Sequence, residues 1–256
     1  MTQLFAGERP RRVVVTGAAG AIGSAVVAEF KKHGHSVLGI DVVPTPSSLN
    51  VDVYIEMDLG RLNHLKREDR DDYLQPIRSW SEDGGLDVLV NNAAVQILGN
   101  LDSLDKEDWE SSLDINLLAP FYLTKHLLNP LERVNGSVVN ISSVHARHTK
   151  PQFVVYATTK AALSGLTRAL AVDLGDRVRV NAVEPASIHT PMLEASFEGR
   201  PHEFEQLKSR HPQKRIGTPE EVAALVYAIS LGNMNFLHGA CIDLSGGLSA
   251  RLNDPL

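Results

Sequence analysis

Apolar residues fall in short, unbroken runs separated by longer amphipathic stretches. The runs are Val13–Val15, Val37–Ile40, Val53–Ile55, Val88–Val90, Val138–Ile141, Val178–Val183 and Ala240–Leu244, several of them nearly all Val, Ile and Leu. A strand with one wet face alternates apolar and polar residues. These runs do not alternate, so they predict strands covered on both faces, as in a parallel sheet. The stretches between them predict helices. Ile22–Lys32 follows a glycine-rich turn, and Lys106–Leu128 opens on Asp105, Glu107 and Asp108, acids that favour a helix N-terminus. Val155–Leu174 places Leu163, Leu166, Leu170 and Leu174 at helical spacing, and Thr218-Pro219-Glu220-Glu221 reads as an N-cap with proline in the first turn. Alternating β and α over residues 1–256 predicts one α/β domain, a Rossmann-type doubly wound parallel sheet of about seven strands. Gly84-Gly85 is a turn before a strand rather than a domain boundary. The least regular stretch, Ala186–Gly217, holds three prolines and three histidines and predicts a substrate lid at about 186–217.

Composition narrows the class. With 43% hydrophobic and 22% charged residues over 256 positions, the chain suits a folded globular protein. No apolar run approaches the roughly 18 residues that span a bilayer. Met1–Arg12 lacks the apolar core of a secretory leader, so a cytoplasmic protein without membrane contact is expected. A single cysteine, Cys241, excludes an internal disulfide framework and a Cys-based zinc site. The 25 basic against 31 acidic residues give a net charge of −6, without the basic excess of a nucleic-acid binder. His189, His202 and His211 lie 13 and 9 residues apart, which matches no compact ligand motif, so no metal is expected. A small-molecule substrate remains the expected partner.

The candidate chemistry begins at Thr16–Gly23, directly after the first strand. Gly17, Gly20, Ala21, Ile22 and Gly23 would let backbone approach a pyrophosphate, whose charge helix N-terminal amides can meet. Asp41 ends the second strand, 18 residues after Gly23. A carboxylate there accepts from both adenosine ribose hydroxyls and repels a 2′-phosphate. No arginine or lysine follows in Val42–Asn50, so NAD rather than NADP is expected. Tyr156 and Lys160 stand four residues apart on one helical face, where an ammonium favours phenolate and lowers the tyrosine pKa. Ser143 precedes Tyr156 by 13 residues, at the C-terminal end of a strand, where ligands of such sheets converge.

Taken in order, Thr16–Gly23, Asn91-Asn92-Ala93-Ala94, Asn116, Ser142-Ser143 and Tyr156 with Lys160 resemble the short-chain dehydrogenase/reductase family over about Arg12 to Gly247. The resemblance implies that Tyr156 is the general acid–base and that Lys160 holds the nicotinamide ribose and depresses the Tyr156 pKa. It implies that Ser143 binds the substrate oxygen and that Asn116 orders a water linking Lys160 to solvent. Hydride would pass between the substrate carbon and nicotinamide C4. By the same resemblance Asp58 and Leu59 would meet the adenine, and Asn92, Ala93 and Ala94 the adenosine ribose. Pro185, Ile188 and Thr190 would meet the carboxamide. Two departures stand out. Ala21 replaces a common second glycine, and Gly17, Gly20 and Gly23 fit the extended, epimerase-like branch equally well. Chain length, Asn91–Ala94 and the Ser143–Tyr156 offset favour the short single-domain branch. Gly20 also occupies a position where NADP-dependent members often carry a basic residue. Pro185-Ala186 stands where Pro-Gly is usual.

Substrate choice is expected from Gln96, Ser143, His145 and His189, with Arg147 and His148 at the same edge, either lining the pocket or facing solvent. Such groups suit a small polar substrate: a sugar, polyol or hydroxy acid. Phe197, Phe204 and Leu207 would form the lid's apolar underside. The expected function is an NAD-dependent oxidoreductase interconverting a secondary alcohol and its ketone. The alternatives are a 3-oxoacyl-type reductase, which usually implies NADPH, and a dinucleotide-binding sensor, which would have no need of Tyr156. The resemblance implies a homotetramer. The stripe Ala157, Ala161, Gly165 and Ala169 would permit close helix approach between subunits or pack within one. Cys241 is expected to lie away from every motif.

Overall fold

The computed structural model describes residues 9–231 and 234–252. The first half runs β1 Arg12–Thr16, α1 Ala21–Lys32, β2 Ser36–Asp41, β3 Val53–Glu56, α2 Arg67–Glu82 and β4 Val88–Asn91. Next come α3 Lys106–Leu113, α4 Ala119–His126, α5 Leu128–Glu132, β5 Ser137–Ile141 and α6 Val154–Leu174. The chain closes with β6 Arg179–Pro185, α7 Pro191–Ser196, α8 Pro201–Arg210, α9 Pro219–Ser230 and β7 Cys241–Leu244. All seven strands are parallel, in the order β3-β2-β1-β4-β5-β6-β7. The winding reverses between β1 and β4, and the strand C-termini on either side of that point open a crevice.

The unbroken apolar runs follow from this doubly wound arrangement. Val14, Leu38, Leu89, Val138 and Val180 pack on one face with Leu74 and Ile77 of α2, Leu123 of α4 and Leu174 of α6. Val13, Val15, Val37, Val90 and Val139 pack on the other with Val26 and Phe30 of α1 and Val222 and Val226 of α9. The central strands β1, β4, β5 and β6 therefore lose both faces to helices, while the edge strands β3 and β7 stay partly exposed. Thr218 is the N-cap that the sequence suggested for α9, and with Glu221 it forms a capping box. Among the described residues no helix is long and apolar enough to cross a membrane.

Two segments differ from the sequence expectation. Lys106–Leu128 is not one regular helix: a π turn, Asp114–Leu118, separates α3 from α4, and a break at Leu127 separates α4 from α5. Ala186–Gly217 is more regular than its composition suggests. Pro191 and Pro201 open α7 and α8 at the helical position where a missing amide is harmless. No residue of α8 is fully buried, and the Phe197 and Phe204 rings, 5.4 Å apart, tie the two helices together.

Candidate active site

Gly17 has φ +62°, and a Cβ there would lie 2.8 Å from Asn92 Nδ2. A Cβ on Gly23 would lie 1.9 Å from the Gly17 carbonyl oxygen, so α1 rests directly on the turn. Gly20 is the N-cap of α1; no side chain caps this helix and no acid stands in its first turn. Its positive end is thus left for an anion, with Ala21 and Ile22 as the first helical residues. Asp41 stands beside the turn: Oδ2 accepts from the Ala19 amide at 2.9 Å and Oδ1 from the Val42 amide at 2.8 Å.

Asn92 braces the same turn. Its Nδ2 donates to the Thr16 and Gly17 carbonyls, both at 3.0 Å. The Asn92 and Ala93 amides donate to Thr16 Oγ1 at 2.9 and 3.0 Å, while Ala94 is exposed. Asp58 Oδ1 accepts from the Gly60 amide at 2.9 Å, starting a short 3-10 turn. Leu59 is buried in the core and offers the crevice no side chain. The uncapped helix, the glycine cradle and the fixed carboxylate fit a dinucleotide, with Gly17, Gly20 and Gly23 at the pyrophosphate and Asp41 at a ribose.

One turn of α6 aligns Tyr156 and Lys160. Ser143 ends the loop after β5; its Oγ accepts from the His145 amide at 3.2 Å, and its hydroxyl hydrogen-bonds the Tyr156 side chain. Burial raises the Tyr156 pKa, and the Ser143 contact opposes that shift. Lys160 Nζ donates to the Ile141 carbonyl at 2.8 Å and lies 5.8 Å from the Tyr156 ring centroid. Burial lowers the Lys160 pKa to about 8. The sequence expectation of a depressed tyrosine pKa is therefore corrected for the protein by itself. The ammonium is anchored to β5, and desolvation of the phenolate dominates.

Asn116 lies in the π turn, a conformation common at functional sites. Its Oδ1 accepts from the Val95 amide at 2.9 Å, and its Nδ2 donates to the Val95 carbonyl and to Thr159 Oγ1, each at 3.0 Å. The side chain pins the Val95 segment to α6. Pro185 is buried at the end of β6, and Ile188 is buried in the core and bridges to Gly217. Thr190 Oγ1 caps α7 by accepting from the Leu193 amide at 3.2 Å.

The four expected substrate residues divide. His145 joins Ser143 beside Tyr156: its ring stacks on Phe153 at 4.3 Å and meets the Tyr156 ring edge-on at 5.8 Å. Burial, helped by the Lys150 charge, lowers the His145 pKa to about 4, so the imidazole is neutral. Gln96 is exposed on a neighbouring loop, joined to the Phe153 loop where the Gly99 amide donates to Gln152 at 2.8 Å. His189 turns instead to Glu194, at 2.7 Å.

Arg147 does more than face solvent. Its Nε pairs with Glu184 Oε2 at 2.9 Å, and its Nη2 donates to the Cys241 carbonyl at 2.9 Å. Glu184, on β6, is 1% exposed and accepts from Ser164 Oγ at 2.8 Å. Ser164 touches Ser142, whose hydroxyl donates to the Lys160 carbonyl at 2.9 Å. Cys241 therefore adjoins the polar network behind α6, contrary to expectation. The signal for this network was a lone acid in an apolar strand run, since a carboxylate buried on both faces needs a cation.

A doubly wound sheet with a glycine cradle at its switch point and a Ser–Tyr–Lys cluster beside it defines the class of nicotinamide-dinucleotide oxidoreductases. Comparison with known proteins narrows this. The family model described as enoyl-(acyl carrier protein) reductase matches residues 17–249. An oxidoreductase of Thermotoga maritima is 34% identical over 93% of this chain and 97% of its own. The 3-oxoacyl-(acyl-carrier-protein) reductase of the same organism is 33% identical over 92% and 96%. Among solved structures, the ligand-free aldohexose dehydrogenase of Thermoplasma acidophilum is similar with TM-score 0.88 and 31% identity, covering 97% of each chain. ElxO with NADP bound is similar with TM-score 0.84 and 27% identity, covering 95% of this chain and all of the other. The chain belongs to the short-chain dehydrogenase/reductase family and is an oxidoreductase that binds a nicotinamide dinucleotide.

Proposed function

We propose that this protein is an NAD-dependent dehydrogenase that interconverts a secondary alcohol and its ketone on a small polar substrate. The observation that carries this reading is the contact of Ser143 with Tyr156, one helical turn from a buried Lys160. Ser143 holds the substrate oxygen, and Tyr156 takes its proton on oxidation or returns it on reduction. Lys160 binds the nicotinamide ribose, and Asn116 keeps α6 in register with the Val95 loop. The bound dinucleotide supplies hydride chemistry at C4. Pro185, Ile188 and Thr190 shape the wall beside the carboxamide. Asp58, Asn92, Ala93 and Ala94 flank the adenosine, with the Leu59 backbone.

Asp41 supports NAD, because its fixed carboxylate would face a 2′-phosphate. The NADP carried by ElxO makes the comparison worth running. His145, Ser143 and Gln96 favour a sugar, polyol or hydroxy acid, as does the name of the aldohexose dehydrogenase. The segment 186–217 acts as the lid within a single domain of a cytoplasmic homotetramer. The similarity to a 3-oxoacyl reductase keeps that substrate class in view.

The test is NAD(P)H formation across sugars, polyols, hydroxy acids and hydroxyacyl thioesters with both cofactors. Turnover of a small polar alcohol with NAD is the expected result. Exclusive use of thioesters with NADPH would support the reductase instead, and tight dinucleotide binding without turnover would support a sensor.

A further inference from the structure

A line of polar side chains runs from the half-exposed Arg147 to the backbone of Lys160. Lys160 is gripped at both ends by adjacent residues. Its Nζ donates to the carbonyl of Ile141, the last residue of β5, at 2.8 Å. Its own carbonyl lies 2.9 Å from the hydroxyl of the next residue, Ser142. Ser142 Oγ stands 2.8 Å from Ser164 Oγ, and Ser164 Oγ donates to Glu184 Oε1 at 2.8 Å. Glu184 Oε2 pairs with Arg147 Nε at 2.9 Å, and Arg147 Nη2 donates to the Cys241 carbonyl on β7 at 2.9 Å. Ser142, Ser164 and Glu184 are buried. Each hydroxyl has one proton to give. The carboxylate takes that of Ser164, so the Ser142 proton is left between Ser164 Oγ and the Lys160 carbonyl. The far end of the line also belongs to the site, because Arg147 closes the short turn that opens at Ser143.

We propose that Arg147, Glu184, Ser164 and Ser142 are positioning residues that hold Lys160 and Ser143 in register with Tyr156 for turnover. The inference rests on the dehydrogenase reading. None of the four meets the reacting atoms; they act through the Lys160 backbone and through the turn that carries Ser143. A lysine ammonium on its flexible stem has no direction of its own. Fixing the Lys160 carbonyl at Ser142 and its Nζ at Ile141 supplies one. Packing gives no reason for a charge at Glu184, whose neighbours Val183 and Pro185 are buried apolar residues. A buried ion pair adds little net stability over apolar side chains of similar size. What this pair supplies is a fixed relation between β6, the Ser143 turn and α6, and an error of about 1 Å in such a relation can cost about a hundredfold in rate.

Two variants break the line without leaving a buried charge unpaired. Arg147→Met combined with Glu184→Gln removes the ion pair from both sides, and Ser164→Ala removes the link in the middle. Each is assayed as the full-length protein beside the wild type, with NAD and with NADP. The substrate is whichever of sorbitol, glucose, gluconate and 3-hydroxybutyrate the wild type oxidises fastest. In both variants kcat should fall about tenfold or more, while KM for the alcohol stays within about twofold, because no substrate contact is lost. A general loosening of the fold would not separate the two constants in this way. Wild-type kcat in either variant overturns the proposal, and so does a fall in kcat matched by an equal rise in KM. If the double variant does not fold, Ser164→Ala decides by the same criteria. A wild type that oxidises none of the four alcohols removes the dehydrogenase reading and this inference with it, whereas an active wild type with unaffected variants removes the inference alone.

Discussion

Tyr156 and His145 carry opposite consequences of burial in one small cluster. Burial raises the tyrosine pKa and keeps its proton, whereas the same desolvation strips the proton from the histidine. Tyr156→Phe preserves the ring that packs against His145 and Phe153. It should lower kcat by on the order of a thousandfold, the size of a general acid–base contribution. Dinucleotide affinity in a fluorescence titration should stay within about threefold, because the phenyl ring remains and the dinucleotide's main contacts lie elsewhere. Full activity in the variant would remove Tyr156 from the chemistry. His145 gives a pH prediction with a definite sign. Its folded pKa, about 4, lies below the unfolded 6.5, so the unfolded chain takes up a proton first as the solution is acidified. The histidine's contribution is present above pH 6.5 and is lost as pH falls toward 4. His145→Phe should flatten the fall in urea midpoint across that window. An equally steep fall in the variant would place the acid sensitivity elsewhere.

At the scale of elements, three segments of the candidate site meet in one polar network. Arg147 continues the Ser143 loop, Glu184 precedes Pro185 on β6, and Ser164 sits one turn beyond Lys160 on α6. The Arg147–Glu184 pair and the Ser164 contact hold them together. Glu184→Ala leaves the guanidinium and Ser164 without their carboxylate and should cost about 3–5 kcal/mol in a chemical denaturation curve. Glu184→Gln keeps the Ser164 hydrogen bond and should cost less. If both variants unfold with the wild-type midpoint, the pair is only a surface contact. At this scale the sequence was most legible in the strands and least legible in Lys106–Leu128 and Ala186–Gly217. Apolar periodicity reports burial, and burial does not change where one residue is added to make a π turn. Proline composition misleads in the second segment, because Pro191 and Pro201 start helices there.

At the scale of the molecule, the small-residue stripe on α6 lies on the open side of the subunit. Ala161 and Ala169 are exposed, and a Cβ on Gly165 would meet nothing within 4 Å. Val172, on the same helix, is 87% exposed. Of the two packing modes that the sequence left open, the one between subunits is favoured, since burying such a face requires another chain. Sedimentation is expected to show a tetramer, and Ala169→Glu should shift it toward smaller species by placing a carboxylate in the contact. A wild-type monomer at assay concentration would refute the assembly.

The sequence by itself determined the doubly wound sheet, because apolar runs without alternation can be satisfied only between two helical layers. It also determined the glycine cradle, Asp41 and the Tyr156–Lys160 spacing, because each is set by residues close together along the chain. Tertiary structure decided what depends on distant segments meeting. Arg147 reaches Cys241 across 94 positions, and Asn116 reaches Thr159 across 43. It also decided which charges lose water. Lys160 and His145 read as ordinary titratable residues in the sequence, and only burial in the folded protein separates them from the exposed ones.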